Sequence, residues 1–185
     1  MLPKRRFSEN SVGLEIDLQK MFGKKITDPA LRRSVAESLI EKILSRTESG
    51  KGVQANGEVV KLKSPYSKMY ADSIEFKAFG KEKSKVNMKL TGSMLASVDL
   101  INDNKETIEI GIDNEEAPKA YNHLVGDTVP KRPWLGLTSD DIEKTKQEFK
   151  SEVSGDEPIT AKDIFERTNL AKLINIVSSR KIIGK

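Results

Sequence analysis

Val12, Leu14, Ile16 and Leu18 alternate with Gly13, Glu15, Asp17 and Gln19. That period of two predicts a half-buried strand, or an arm that adds to a neighbour's sheet. From Asp28-Pro29 the spacing becomes helical. Leu31, Val35, Leu39 and Ile43, joined by Ala36, Ile40 and Leu44, form one apolar face to about Arg46, with Arg32, Arg33, Glu37, Glu41 and Lys42 on the other. Asp28 suits the cap and Pro29 the first helical position, because the missing N–H would be unpaired there anyway. Gly50 and Gly52 end the helix. Alternation returns in Val98–Asn102 and Thr107–Asp113, around a polar turn at Asp103–Lys105. This predicts a hairpin with Ile108, Ile110 and Ile112 on one face. Pro118–Val125 reads as a short helix stopped by Gly126. Thr138–Asp141 has a capping-box pattern and opens a helix through Ile142, Thr145 and Phe149 to about Val153. After a break at Ser154–Pro158, residues 160–167 and 170–179 form a second small helical unit.

The stretches between these elements carry their own signals. Thr47–Pro65 is polar and glycine-rich, with a short strand possible at Val59–Lys63; a loop of this length is usually functional or ordered by a partner. Its Gly-Lys-Gly lacks the spacing of a phosphate loop and follows a helix rather than a strand. Ser64–Ala71 predicts a turn entering a short helix, with Tyr66, Met69 and Tyr70 on nearby turns. Phe76–Lys85 reads as a basic loop with two aromatics, either a holder of single-stranded nucleic acid or a loop whose phenylalanines pack back on the core. Pro133 begins Trp134–Leu137, where a proline fits only an edge or terminal strand position.

The pattern calls for an α+β fold: a small antiparallel sheet packed against one long helix, with long loops, extended arms and a C-terminal helical extension. It divides as an N-terminal arm or strand (1–27), a core (28–153) and the extension (154–185). At 36% hydrophobic and 5% aromatic, the 185 residues suffice for one core and leave arms to be ordered by partner subunits. The absence of cysteine excludes disulfides and thiol chemistry. Met1–Arg6 is basic but lacks the apolar run of a signal peptide, and no stretch approaches the roughly 20 apolar residues of a membrane span. The expectation is a soluble protein, and the lack of cysteine fits a reducing cytoplasm. The net charge of +4 is unevenly spread: +4 in residues 1–51, +4 in 52–90, −6 in 91–130 and +2 in 131–185. An acidic middle between basic arms suits contact between identical subunits, and equally suits a solvated, uneven surface.

Little in the chain offers catalysis. His123 is the only histidine, without the second histidine or cysteine of a metal site and without a Gly-x-Ser-x-Gly nucleophile; a structural role near Tyr121 is favoured. Asp113, Glu115 and Glu116 lack a calcium-loop pattern and read as a solvated turn. Asp140 and Asp141 are accounted for by the start of a helix. Trp134, the only tryptophan, is a core anchor or an interface hot spot, with core favoured and Lys131 and Arg132 at the surface beside it. The candidate contacts for other subunits or partners are Lys51, Tyr66, Tyr70, Arg132, Trp134, Ile182 and Ile183. The lysines placed to face DNA are Lys77, Lys81, Lys83 and Lys85. The expectation is a protein that is not an enzyme; a basic nucleic-acid-binding module is the alternative reading.

Four segments occur in an informative order: Met88-Lys-Leu-Thr-Gly-Ser-Met-Leu95, the hairpin, Tyr121/His123/Gly126, and Arg132-Pro-Trp-Leu-Gly136. Upstream lie a helix, a glycine-rich loop and a tyrosine (Gly50 to Tyr70); downstream lies a helix beginning with Asp140-Asp141. This order resembles the virion-morphogenesis, or tail-completion, proteins of tailed bacteriophages, over about Ala30 to Phe149. One departure is Leu-Val-Gly after His123, where the family tends to a polar residue and glycine. The resemblance implies an α+β fold and a ring of six copies at the virion neck. That ring would stack between the portal or adaptor on the head side and the tail terminator or tail tube on the other. It implies no cofactor and at most a passing contact with DNA. Removing residues 1–25 is expected to impair assembly more than monomer folding.

Overall fold

In the computed structural model the described residues are 2–62, 66–78, 81, 83, 86, 88, 92–127 and 129–155. The chain divides into two compact units, Met1–Phe149 and Lys150–Lys185. Of the second, the described part is a short helix at Lys150–Ser154. Ile182, Ile183, Lys85, Phe79 and the helical unit expected at 160–179 lie outside the described residues.

The first unit is α+β. A four-stranded antiparallel sheet is built from β1 (Lys4–Ser8), β2 (Ser11–Asp17), β5 (Asp99–Asp103) and β6 (Thr107–Ile112), in the order β1-β2-β6-β5. The alternating residues explain it: Val12, Leu14 and Ile16 pair with Ile112, Ile110 and Ile108, and all six are at most 2% exposed. β2 ends where the Asp17 carboxylate accepts the Lys20 N–H at 2.8 Å and caps the short helix α1 (Leu18–Phe22). A bulge between Leu100 and Asn102 interrupts the β5–β6 ladder.

Of the two readings of residues 1–27, arm or strand, this sheet takes the strand. β1 and β2 supply half the strands of the chain's own sheet, and Leu18 and Met21 are buried in its core. Truncation at residue 25 therefore removes part of the fold itself, which reverses the expected order of damage.

The long helix α2 (Pro29–Glu48) packs against β5 and β6, with the Asp28 side chain accepting the Ala30 N–H at 2.9 Å. Leu31, Val35, Ala36, Leu39 and Ile43 are buried as their spacing requires. Arg32 departs from its expected place on the solvent face. It is 6% exposed because its guanidinium pairs with Asp103 and donates to the Ile26 and Thr27 carbonyls, both at 2.9 Å. A buried charge stands when it is paired and its donors are largely used, as four of the five are here.

The segment read as a loop with a short strand at Val59–Lys63 holds that strand, β4 (Val59–Lys61), and pairs it with an unforeseen one, β3 (Lys51–Val53), in a second small sheet. β3 lies against the Arg132–Gly136 segment: the Val53 N–H donates to the Pro133 carbonyl at 2.7 Å. A Cβ on Gly52 would come within 2.3 Å of that same oxygen, so only glycine allows the approach. Residues 130–138 are irregular rather than a strand. Trp134, Leu135 and Leu137 are at most 1% exposed. Two more corrections follow. Trp134 is a core residue and offers no surface to another subunit, and Arg132 is 7% exposed instead of flanking it at the surface. Helix α6 (Ala117–Val125) ends at Gly126 with φ +84°, and α7 (Ser139–Glu148) opens with the expected capping box between Thr138 and Asp141.

Candidate functional site

Two very short helices, α3 (Lys68–Ala71) and α4 (Ile74–Ala78), bring three rings together. Ser67 caps α3 by accepting the Tyr70 N–H. The centroids of Tyr66 and Tyr70 are 5.5 Å apart, and Phe76 meets both edge-on at 5.0 and 5.4 Å, the arrangement that ring quadrupoles favour. Phe76 is 2% exposed and fixes the cluster to the core. It also shows that the expected basic loop begins as helix at Phe76–Ala78, with the Phe76 ring packed inward.

Across from the rings stands α6. Lys119 and His123 are four residues apart and so share a face of it. The chain turns at Gly126 and returns so that the Arg132 N–H donates to the His123 carbonyl at 2.6 Å. The Arg132 guanidinium then sits with Nη1 3.1 Å from His123 Nδ1 and its carbon 5.7 Å from the Tyr66 ring centre. Lys81 Nζ lies 5.2 Å from the same ring and 5.9 Å from that of Tyr70. Both cations are held over aromatic faces.

These groups line a cavity of about 520 Å³, closed by Val86, Met88, Met94, Val129 and Pro130. Its electrostatics are one-sided. Burial, reinforced by the charges of Arg132, Lys119 and Lys81, pushes the His123 pKa down to about 4, so the ring is neutral at pH 7. Arg132 can only donate, so Nδ1 accepts and the ring proton is on Nε2. Burial followed by repulsion from Arg132 lowers Lys81, and burial raises Tyr66 and Tyr70, which stay protonated. Lys119 is paired with Glu116 at 2.9 Å. Such a pocket can hold an anion. Its histidine already has one nitrogen occupied, and among the described residues no carboxylate is bonded to it and no cluster of acids and histidine suits a metal ion.

Of the residues picked out in the sequence, Tyr66, Tyr70, Lys81 and Arg132 meet here. Lys51 is exposed and lines a separate shallow groove with Glu41, Arg46 and Asp141. Lys77 is exposed and does not line the cavity; Lys83 is paired with Asp72 at 2.8 Å, so these two do not form a row of free cations with Lys81. Lys119 and His123 were not foreseen as pocket residues, although their four-residue spacing on a predicted helix was a usable signal.

The chain matches no family model, no curated protein and no solved structure significantly. No helix among the described residues is long and apolar enough to cross a membrane.

Proposed function

We propose that this protein is a structural subunit of a bacteriophage neck, building a ring that joins the portal or adaptor of the head to the terminator or tube of the tail. One observation carries the reading: three of the segments behind the sequence resemblance, around Gly52, His123–Gly126 and Arg132–Gly136, are bonded into one structural unit. His123 and Arg132 are joined through backbone and side chain, the Gly126 turn closes against Lys131, and Pro133 bonds to β3 beside Gly52. Each residue type is used for a geometric purpose: turn, close approach or anchored ring. That is the economy of a part whose work is to present surfaces. With Trp134 in the core, the contact surface shifts to Met69 and Ile74 on α3 and α4, which are 86% and 83% exposed. Large apolar side chains left in water on adjacent helices suit the heterologous interface of a closed ring.

Mass photometry and negative-stain imaging of the purified chain, alone and with portal and tail proteins, test the reading. Rings are expected, weakened by Met69→Asp with Ile74→Asp while circular dichroism stays unchanged. A chain that stays monomeric with every partner and is absent from purified particles would overturn it. The second reading, a basic nucleic-acid-binding module, draws on the cations and rings around Tyr66. It requires DNA affinity of the isolated chain that falls steeply with salt.

A further inference from the structure

Arg132 is the unusual group in this molecule. Its guanidinium is almost wholly withdrawn from solvent, and among the described residues it has no carboxylate beside it and its Nε has no hydrogen-bond partner. A buried cation in that state is costly, and the Tyr66 face compensates only in part. Lys81, on the same ring, likewise has no ion pair among the described residues. Both line the 520 Å³ cavity, a size typical of small-molecule pockets; Ser67, Lys119 and the neutral His123 add polar groups to its wall, and two tyrosine rings, two methionines, Val86, Val129 and Pro130 make up most of the rest. An unsatisfied positive end and an aromatic, apolar body in one cavity define the complement they would accept.

We propose that this pocket binds a compact ligand bearing one carboxylate or phosphate group on a flat, apolar body. The anionic oxygens take the edge of the Arg132 guanidinium that lines the cavity and Nζ of Lys81, and the body lies against Tyr66, Tyr70 and the methionines. The sulfur-containing side chains adapt to its outline, as flexible thioethers do. A nucleic-acid strand fits less well. It needs a track of cations spaced for successive phosphates, whereas Lys83 is paired and Lys77 does not line the cavity. The inference stands on the pocket alone and does not require ring formation.

Calorimetry on the full chain tests it, with benzoate and thymidine monophosphate as anionic probes and benzamide and thymidine as their neutral counterparts. At least one anion is expected to bind about tenfold more tightly than its neutral analogue, and the better of the two identifies carboxylate or phosphate. Because Arg132 is buried, Lys81→Gln at the partly exposed side is the primary variant and Arg132→Gln the second. Lys81→Gln is expected to weaken the anion about tenfold, while Lys77→Gln leaves it unchanged. Three results would overturn the proposal: neutral analogues binding as well as anions, equal losses in Lys77→Gln, or no binding by any probe at about 1 mM. Oligothymidylate that binds ever more tightly with length, in preference to the monomer, would also overturn it in favour of a strand-binding surface.

Discussion

Arg132-Pro133-Trp134 runs between two regions that use aromatic rings in opposite ways. On the Trp134 side the ring is 0% exposed, and its neighbours Leu135 and Leu137 are as closed as any in the core. On the Tyr66 side two tyrosine rings, anchored on the buried edge-on Phe76, line an open cavity, with two cations over them that have no counter-ion among the described residues. The first region converts apolar area into stability. The second leaves area unburied and charge uncompensated, a combination that folding alone does not favour. The contrast teaches that stability and recognition can lie within three residues of one another, and that they should respond to different mutations.

The strongest way to break this contrast is to remove residues 1–25. The closed region should then collapse, because Val12, Leu14, Ile16, Leu18 and Met21 leave the core, a loss of about 10 kcal/mol at roughly 2 kcal/mol per buried side chain. A truncated chain that still melts cooperatively by circular dichroism would show that the hairpin is dispensable. Next in size, Trp134→Ala should cost about 3–5 kcal/mol in urea unfolding; a loss below about 1 kcal/mol would mean the ring is not a core anchor.

The open region gives smaller effects. The pKa of His123 is lower in the folded protein, about 4, than its ordinary 6.5, so the unfolded chain takes up the proton first as pH falls. Stability from this group is fully present above about pH 6.5 and is lost toward pH 4. The difference amounts to about 1–2 kcal/mol once solvent screening is allowed for. Since the chain has one histidine, the profile of wild type minus His123→Gln between pH 7 and 4.5 isolates it, and a flat difference would contradict the buried neutral ring. Smallest of all, Lys81→Gln should change stability by less than about 1 kcal/mol, the scale of an exposed cation–π contact. A larger loss in thermal melts would make Lys81 part of the framework instead of the pocket.

Much of the fold was legible where one periodicity ran long enough. The alternation at Val12–Leu18 and Thr107–Asp113, the apolar face of α2 and the caps at Asp28, Gly126 and Thr138 all appear where their spacing put them. What escaped was tertiary. Lys4–Ser8 forms β1 without an alternating apolar signature, because it pairs at the sheet's edge with side chains half in water. Gly50–Leu62 looked like a loop because its glycines read as breakers, whereas Gly52 admits the Pro133 backbone. Arg32 looked solvent-facing because its partner Asp103 is 71 residues away. The site was half legible: Tyr66, Tyr70, Lys81 and Arg132 were picked out individually. Their convergence with His123 depends on a turn at Gly126 and on two helices of four and five residues, too short to declare themselves by pattern.

The pairing of β2 with β6 joins Val12 to Ile112, and it sets a timetable for synthesis. The first strands leave the ribosome about 100 residues before their central partner, a wait of roughly 5–20 s at ordinary elongation rates. During that interval Leu14 and Ile16 have no ladder to join on one flank, and a nascent chain stalled before residue 107 should be captured by chaperones or aggregate. Release from that hazard comes with a single hairpin, the last of the sheet to emerge.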